Sequence, residues 1–139
     1  WIGQKGTFLE GGIRVPAIIS YPEKLPSGEV RDQAVTVMDW YPTLLELCKI
    51  KTPAVKLDGR SLLKVIRDDK APSPHPTLYF QWQNKWAIRK GDWKLIRHKG
   101  PNPKAKERFT LHNLAEENPE VKDYAKQEPE KVKQLLTDG

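Results

Sequence analysis

Apolar positions along the chain change their spacing from one stretch to the next. Val15-Pro16-Ala17-Ile18-Ile19-Ser20 is a short continuous run. Its length and branched residues predict a strand buried on both faces, with Pro16 near the start, where its missing N–H does least harm. Asp39 reads as the N-cap of a helix reaching about Lys49. Trp40, Leu44, Leu47 and Cys48 form one stripe of that helix, and Cys48 reads as a small buried hydrophobe on it. Pro42 falls in the first turn, where it costs little. A second short helix is predicted over Ser61 to Arg67, with Leu62, Leu63, Val65 and Ile66 as its apolar contacts.

Beyond a proline-rich polar stretch at residues 68–77, the pattern turns to strands. Thr77 to Trp82 is one, and Trp86 to Lys90 with Trp93 to Arg97 form a hairpin around Gly91-Asp92. Glycine at the first central position suits a type II′ turn, which pairs Lys90 with Trp93 and Ile88 with Leu95. A cation–π contact between Lys90 and Trp93 is expected from that pairing. A further strand fits Phe109 to Leu114. The tail ends in a helix starting at Pro129, with Val132, Leu135 and Leu136 on one face. The proline-rich stretch divides the chain into residues 1–70 and 71–139. The first part does not look able to close a core alone, because a doubly buried strand needs neighbours that these residues do not supply.

Composition adds constraints. The 139 residues carry 24 Lys+Arg against 18 Asp+Glu, a net charge of +6. The excess is local: residues 85–108 hold nine basic residues against Asp92 and Glu107, +7 in all, and the remainder sums to −1. Such a run is either a solvated hairpin and loop or a local anion-attracting rim; it is no global field for nucleic acid. Apolar runs fall far short of the roughly 18 residues needed to span a bilayer. A single cysteine excludes an internal disulfide and any Cys-rich zinc site. The first residue is Trp1, with no leader pattern behind it, which suggests a chain that begins inside a larger one.

Candidate chemistry is sparse. His75, His98 and His112 lack metal-ligand spacing and read as surface or packing residues. No P-loop, dinucleotide fingerprint or serine elbow is present. The one cluster suited to close anion contact is Gly3-Gln4-Lys5-Gly6, an ammonium between glycines whose N–H groups no side chain shields.

The longer string from Gly3 to Pro16 resembles the second signature of the sulfatase family, a Gly-Lys-x-Thr-x-x-Glu-Gly-Gly-x-Arg-x-Pro pattern with its first Gly one position further back here. Val37 to Cys48, with Asp39, Pro42, Thr43, Leu44 and Leu45, is similar to that family's Asp-x-x-Pro-Thr-Leu-Leu helix. Asp58-Gly59-Arg60-Ser61-Leu62 resembles its Asp-Gly-x-Ser-Leu loop, and Trp86 to Ile96 its Ala-Val-Arg-x-Gly-x-Trp-Lys-Leu hairpin. Phe109 to Glu120 is similar to its Glu-Leu-Tyr-Asp-Leu segment, with His112 and Asn113 in place of Tyr and Asp.

The resemblance implies the end of an alkaline-phosphatase-like α/β core over residues 1–70. A small C-terminal antiparallel sheet with a packed helix (α+β) then spans residues 71–139. It implies hydrolysis of sulfate esters by a parent enzyme that uses Ca2+ and a formylglycine made within Cys-x-Pro-x-Arg or its serine form. Cys48 is followed by Lys49-Ile50-Lys51, so that motif is absent, and the family's metal ligands and catalytic histidines lie upstream of the Lys signature. Of the family's site residues only the sulfate-contacting lysine carries over, as Lys5. The fragment alone is expected to be inactive. Glu10 and Arg14 read as structural, hydrogen-bonded within the core. Gln81, Trp82 and Asn84 join two strands and are candidates to read the organic part of a substrate; packing or a plain loop is the other reading.

The partners implied are a sulfated small molecule or sulfated saccharide and the remainder of a sulfatase chain, with neither nucleic acid nor membrane. The resemblance suggests the periplasm, the lysosome or secretion. Two alternatives stand beside this one: a stand-alone basic module binding polyanions through residues 85–108, and a phosphate or phosphonate ester hydrolase on the same core.

Overall fold

A computed structural model describes residues 1–99, 104 and 106–138. Four strands follow one another without a crossover: β1 (Leu78–Trp82), β2 (Lys85–Lys90), β3 (Trp93–His98) and β4 (Arg108–Asn113). They pair antiparallel in the order β1-β2-β3-β4. The predicted hairpin register is present, with Lys90 opposite Trp93 and Ile88 opposite Leu95. Gly91 takes φ +58° while Asp92 keeps a negative φ, the combination of a type II′ turn.

Alternation along these strands gives the sheet two buried faces. On one face Ile88, Leu95 and Leu111 are fully buried with Leu135 of helix α4 (Pro129–Thr137), and Trp86, Trp93, Phe109, Tyr124 and Val132 pack around them. Each such aliphatic side chain contributes about 1.5–3 kcal/mol of burial. Pro129 stands at the helix start, where φ is already set and no donor is lost. The opposite face carries Ala87, Lys94, Ile96, Thr110 and His112, all buried. Residues 1–16, including the short helix α1 (Glu10–Ile13), group with this sheet as one compact unit. The fold of this unit is α+β.

Lys90 does not stack on Trp93. Its Nζ lies 2.8 Å from Asp138 Oδ2, and Lys131 takes the place over the Trp93 ring, 5.2 Å from its centroid. A carboxylate offers a full opposite charge where the ring offers only a quadrupole, so the longer reach to Asp138 wins.

Residues 17–76 form the second unit. A 3-10 turn, Val37–Asp39, leads into α2 (Trp40–Leu47), and α3 (Leu63–Arg67) follows. The inward face of α2 is not the predicted stripe. Leu47 and half-buried Trp40 face inward as expected, but Leu44 is 48% exposed and Cys48 is exposed. Asp39 and Thr43 take the interior instead, and hydrogen bonding explains why. The Thr43 hydroxyl donates to Asp39 O (2.5 Å) and accepts from the Leu62 N–H (2.9 Å). Asp39 Oδ1 accepts from Arg60 N–H (2.8 Å) and lies 2.7 Å from His75 Nε2, while Oδ2 accepts from Thr36 N–H (2.7 Å). Fully satisfied polar groups turn the helix by its polar spine.

The strand expected over Val15–Ser20 is not formed. Val15 is 77% and Ile18 93% exposed, and among the described residues all strands lie between Leu78 and Asn113 and pair with one another. An extended run without a ladder partner leaves its backbone groups to water.

Burial of the Asp39 carboxylate works against its charge, but the Arg60 and Thr36 N–H groups and His75 outweigh it and hold Asp39 below the ordinary aspartate value of 3.8. A carboxylate depressed in the folded state stabilises fully above its unfolded value and loses that contribution as pH falls through the folded one. Asp39→Asn is therefore expected to cost about 1–3 kcal/mol at pH 7. Urea titrations between pH 7 and pH 3 should then show a shallower acid loss for the variant than for the wild type.

Candidate functional site

The signature string begins as a tight turn. Thr7 N–H donates to Gln4 O (3.0 Å), the Thr7 hydroxyl donates to the same oxygen (2.8 Å), and Gln4 N–H reaches Thr7 Oγ1 (3.2 Å). Lys5 sits between these anchors, exposed and without an ion pair among the described residues. Gly6 has φ +88°, a conformation that side chains with a Cβ rarely adopt, and a Cβ there would lie 3.8 Å from Cζ3 of Trp82. The turn bearing Lys5 thus rests beside the Trp82 indole, which is 50% exposed.

The other proposed contacts divide. Trp82 pairs with Lys85 across the β1–β2 ladder, and Gln81 pairs with Trp86. Alternation therefore sends Gln81 to the face of the sheet opposite Trp82. Asn84 is half-buried in the two-residue turn with Gln83, which takes φ +55°. Its carbonyl lies 3.5 Å from Arg97 Nη1.

What holds the turn is further along the string. Glu10 is only 2% exposed, as its structural reading required, and its Oε1 lies 2.6 Å from Lys94 Nζ of β3. The same ammonium lies 2.5 Å from Glu120 Oε1, and Glu120 Oε2 accepts the Glu10 N–H at 2.7 Å. Arg14, half-exposed, adds a second positive charge 3.7 Å from Glu10 Oε2 and covers the Trp1 ring at 4.3 Å. Gly11 N–H closes the string back onto Ile2 O (2.7 Å). Neither Lys94 nor Glu120 was singled out by sequence, since 84 and 110 residues separate them from Glu10. One signal existed: Lys94 shares its strand face with Ile96, so parity placed it inside.

This pairing also revises the basic segment. Lys94 is wholly buried, Lys90 meets Asp138, and Arg97 and Lys99 both meet Glu107. Arg97 and then Lys99 hold the exposed Glu107 carboxyl below its usual range. With Arg108 3.8 Å from Asp123, at least five of the nine cations are thus engaged by acids. The histidines pack: His112 Nδ1 lies 2.9 Å from Lys122 O, and His98 Nε2 2.9 Å from Thr110 Oγ1. Among the described residues no three His, Cys, Asp or Glu side chains gather to hold a metal, so this set does not fit a calcium site. No described helix is long and apolar enough to cross a membrane.

Comparison with known proteins adds four findings. Residues 3–138 match the family described as N-sulphoglucosamine sulphohydrolase, C-terminal. An uncharacterized sulfatase of Schizosaccharomyces pombe is 35% identical over 143 residues, covering 95% of this chain and 25% of its own length. Mouse steryl-sulfatase is 33% identical over 104 residues, 68% of this chain and 16% of its own. A solved sulfatase structure from work on glycosaminoglycan metabolism by Bacteroides thetaiotaomicron has a TM-score of 0.54 at 26% identity, covering 71% of this chain and 23% of its own. The chain thus spans about a quarter or less of the length of these relatives.

Removing the ammonium from between Glu10 and Glu120 leaves two buried carboxylates facing each other. Lys94→Met is expected to destabilise the protein by about 3–5 kcal/mol, the cost of breaking a buried ion pair from one side. A denaturant midpoint unchanged from wild type would refute that role.

Proposed function

Since the chain belongs to the N-sulphoglucosamine sulphohydrolase C-terminal family of sulfatases, we propose that it is the C-terminal portion of an enzyme hydrolysing sulfate esters. In this reading residues 1–70 complete the end of the α/β core, and residues 71–139 form the C-terminal subdomain. The nucleophile and the calcium ligands come from other parts of the parent chain, and these residues alone are inactive. Formylglycine and Ca2+, where present, supply the nucleophile and the charge that holds the sulfate.

The part assigned to this chain is binding and charge stabilisation. Lys5 contacts the sulfate, and its ammonium neutralises charge moving toward the leaving oxygen as the S–O bond breaks. The observation that supports this is the tied turn: the backbone around Lys5 is held by Gln4 and Thr7, and the ammonium has no acid partner among the described residues. A pre-positioned cation pays no reorganisation at the moment of reaction. Trp82, beside Gly6, offers an apolar face to the organic part of the ester. Asn84 completes the proposed rim from the turn after Trp82, whereas Gln81, on the opposite face of the sheet, does not join it. The substrate is a sulfated saccharide or another sulfated small molecule.

In the full-length protein, Lys5→Ala is expected to lower turnover of an aryl sulfate by about tenfold or more, the scale of one lost oxyanion donor. Its thermal melting point should match the wild type, because the side chain is exposed. Unchanged kinetics would remove Lys5 from the site. Preferential cleavage of the matching aryl phosphate would move the enzyme to the phosphate ester class.

A further inference from the structure

The two glycines after Glu10 seat α1 directly on the turn that carries Lys5. A Cβ on Gly12 would lie 2.6 Å from Gln4 O and closer still to Thr7 O, and one on Gly11 would lie 2.5 Å from Gly3 O and 2.7 Å from Ile2 O. These four carbonyls belong to residues on either side of Lys5. Backbone therefore meets backbone with no side chain between, and a shift of α1 has no soft group to absorb it before it reaches the turn.

The other constraint on α1 is electrostatic. Glu10 Oε1 meets Lys94 Nζ at 2.6 Å, the same ammonium meets Glu120 Oε1 at 2.5 Å, and Glu120 Oε2 accepts the Glu10 N–H at 2.7 Å. Both the side chain and the backbone of Glu10 are thus gripped by one buried cluster. Glu120 makes its contacts from a left-handed backbone, φ +72°, which residues with a Cβ rarely adopt. Apolar side chains of similar volume would fill that space without desolvating any charge; what the ions add is a fixed direction.

We propose that Glu120, acting through Lys94 and Glu10, is a positioning residue for sulfate-ester hydrolysis. It fixes α1, and the glycine pair of α1 fixes the backbone that presents Lys5. The C-terminal sheet then takes part in the reaction without touching the substrate. Rates depend steeply on such placement, since an error of about 1 Å can cost about a hundredfold. The inference rests on reading Lys5 as the sulfate ligand.

The test is a double-mutant cycle on aryl sulfate turnover by the full-length protein, joined to hydrogen exchange of residues 2–9. Glu120→Ala is expected to lower kcat about fivefold or more, to change KM less than about twofold, and to speed exchange at the Thr7 amide. Glu120→Gln keeps an acceptor for the Glu10 N–H and should hold kcat within about twofold of wild type. In a Lys5→Ala background, Glu120→Ala should cost less than about twofold more, because the group it positions is gone. Gly12→Ala leaves every charge in place and presses on the Gln4 and Thr7 carbonyls, so it carries the same expectations as Glu120→Ala. A fold lost in one variant leaves the other to decide. Thr43→Ala, which breaks the junction with Asp39 and Leu62, controls for general destabilisation and should leave exchange of residues 2–9 unchanged.

Full additivity of Glu120→Ala with Lys5→Ala would overturn the positioning role and keep Lys5 in the site. Unchanged turnover of Lys5→Ala would instead remove the sulfate ligand, and the catalytic half of the inference with it. Exchange of residues 2–9 still decides in that case whether the cluster holds the turn, and exchange unmoved by Glu120→Ala would overturn that half too.

Discussion

The unit that carries the signature string depends on one buried ammonium. Lys94 has no exposed surface, and two carboxylates close on it, from Glu10 and Glu120. An unpaired charge in that position would cost several kcal/mol, so the ammonium and its partners fold together or not at all. The pairing does more than satisfy a charge. Glu10 belongs to the N-terminal string, Lys94 to the middle of the sheet, and Glu120 to the segment after β4, so one group ties three distant pieces of chain. The backbone bond from Glu10 N–H to Glu120 removes the remaining freedom of α1, a helix too short to persist alone. With α1 fixed, the Gln4–Thr7 turn that carries Lys5 has a fixed root.

Residues 17–76 solve a similar problem with hydrogen bonds. Asp39 and Thr43 bring the Asp-x-x-Pro-Thr helix and the Asp-Gly-x-Ser-Leu loop together, because Arg60 and Leu62 donate into them. Gly59 passes so close to the Met38 carbonyl that no side chain fits there. Two blocks that read as separate motifs along the chain are two halves of one junction. Their residue types follow from it: an acceptor pair on the helix, bare backbone opposite.

This explains what was legible in the sequence and what was not. The hairpin, its register and its turn follow from local rules, period-two alternation with glycine at a positive φ, and they appear as expected. The terminal helix follows from Pro129 and an apolar face, and Leu135 is its buried anchor. Two departures come from a long-range partner that outweighs a local preference, and a third from the lack of a partner strand among the described residues. The α2 stripe rotated because Thr43 found Leu62, which left Leu44 and Cys48 to solvent. Lys90 left Trp93 for Asp138, 48 residues away. Val15–Ser20 has strand composition and no strand to join. As for the site, Lys5 stood out through its glycines and the family pattern, whereas the ion group that fixes it gave only a parity hint at Lys94.

The basic stretch shows why a charge count is a poor guide to an electrostatic surface. Its nine cations divide by geometry into those that hold the fold and those that face outward. Lys94 is spent in the interior and Lys90 meets a carboxylate of its own, whereas Arg97 and Lys99 share the single Glu107 carboxylate, so the field of the group at a distance is reduced. The acids responsible lie both inside the stretch, as Glu107, and far outside it, as Glu10, Glu120 and Asp138. A local sum therefore overstates the field, while the chain total hides where the remainder sits. Arg108 also meets an acid, Asp123 at 3.8 Å, while Lys85, on the same face of the sheet by strand register, has no ion pair among the described residues. Strand register therefore decides which cations share a face. Direction is what separates recognition from attraction, because only a fixed spacing of cations discriminates among anions of equal charge.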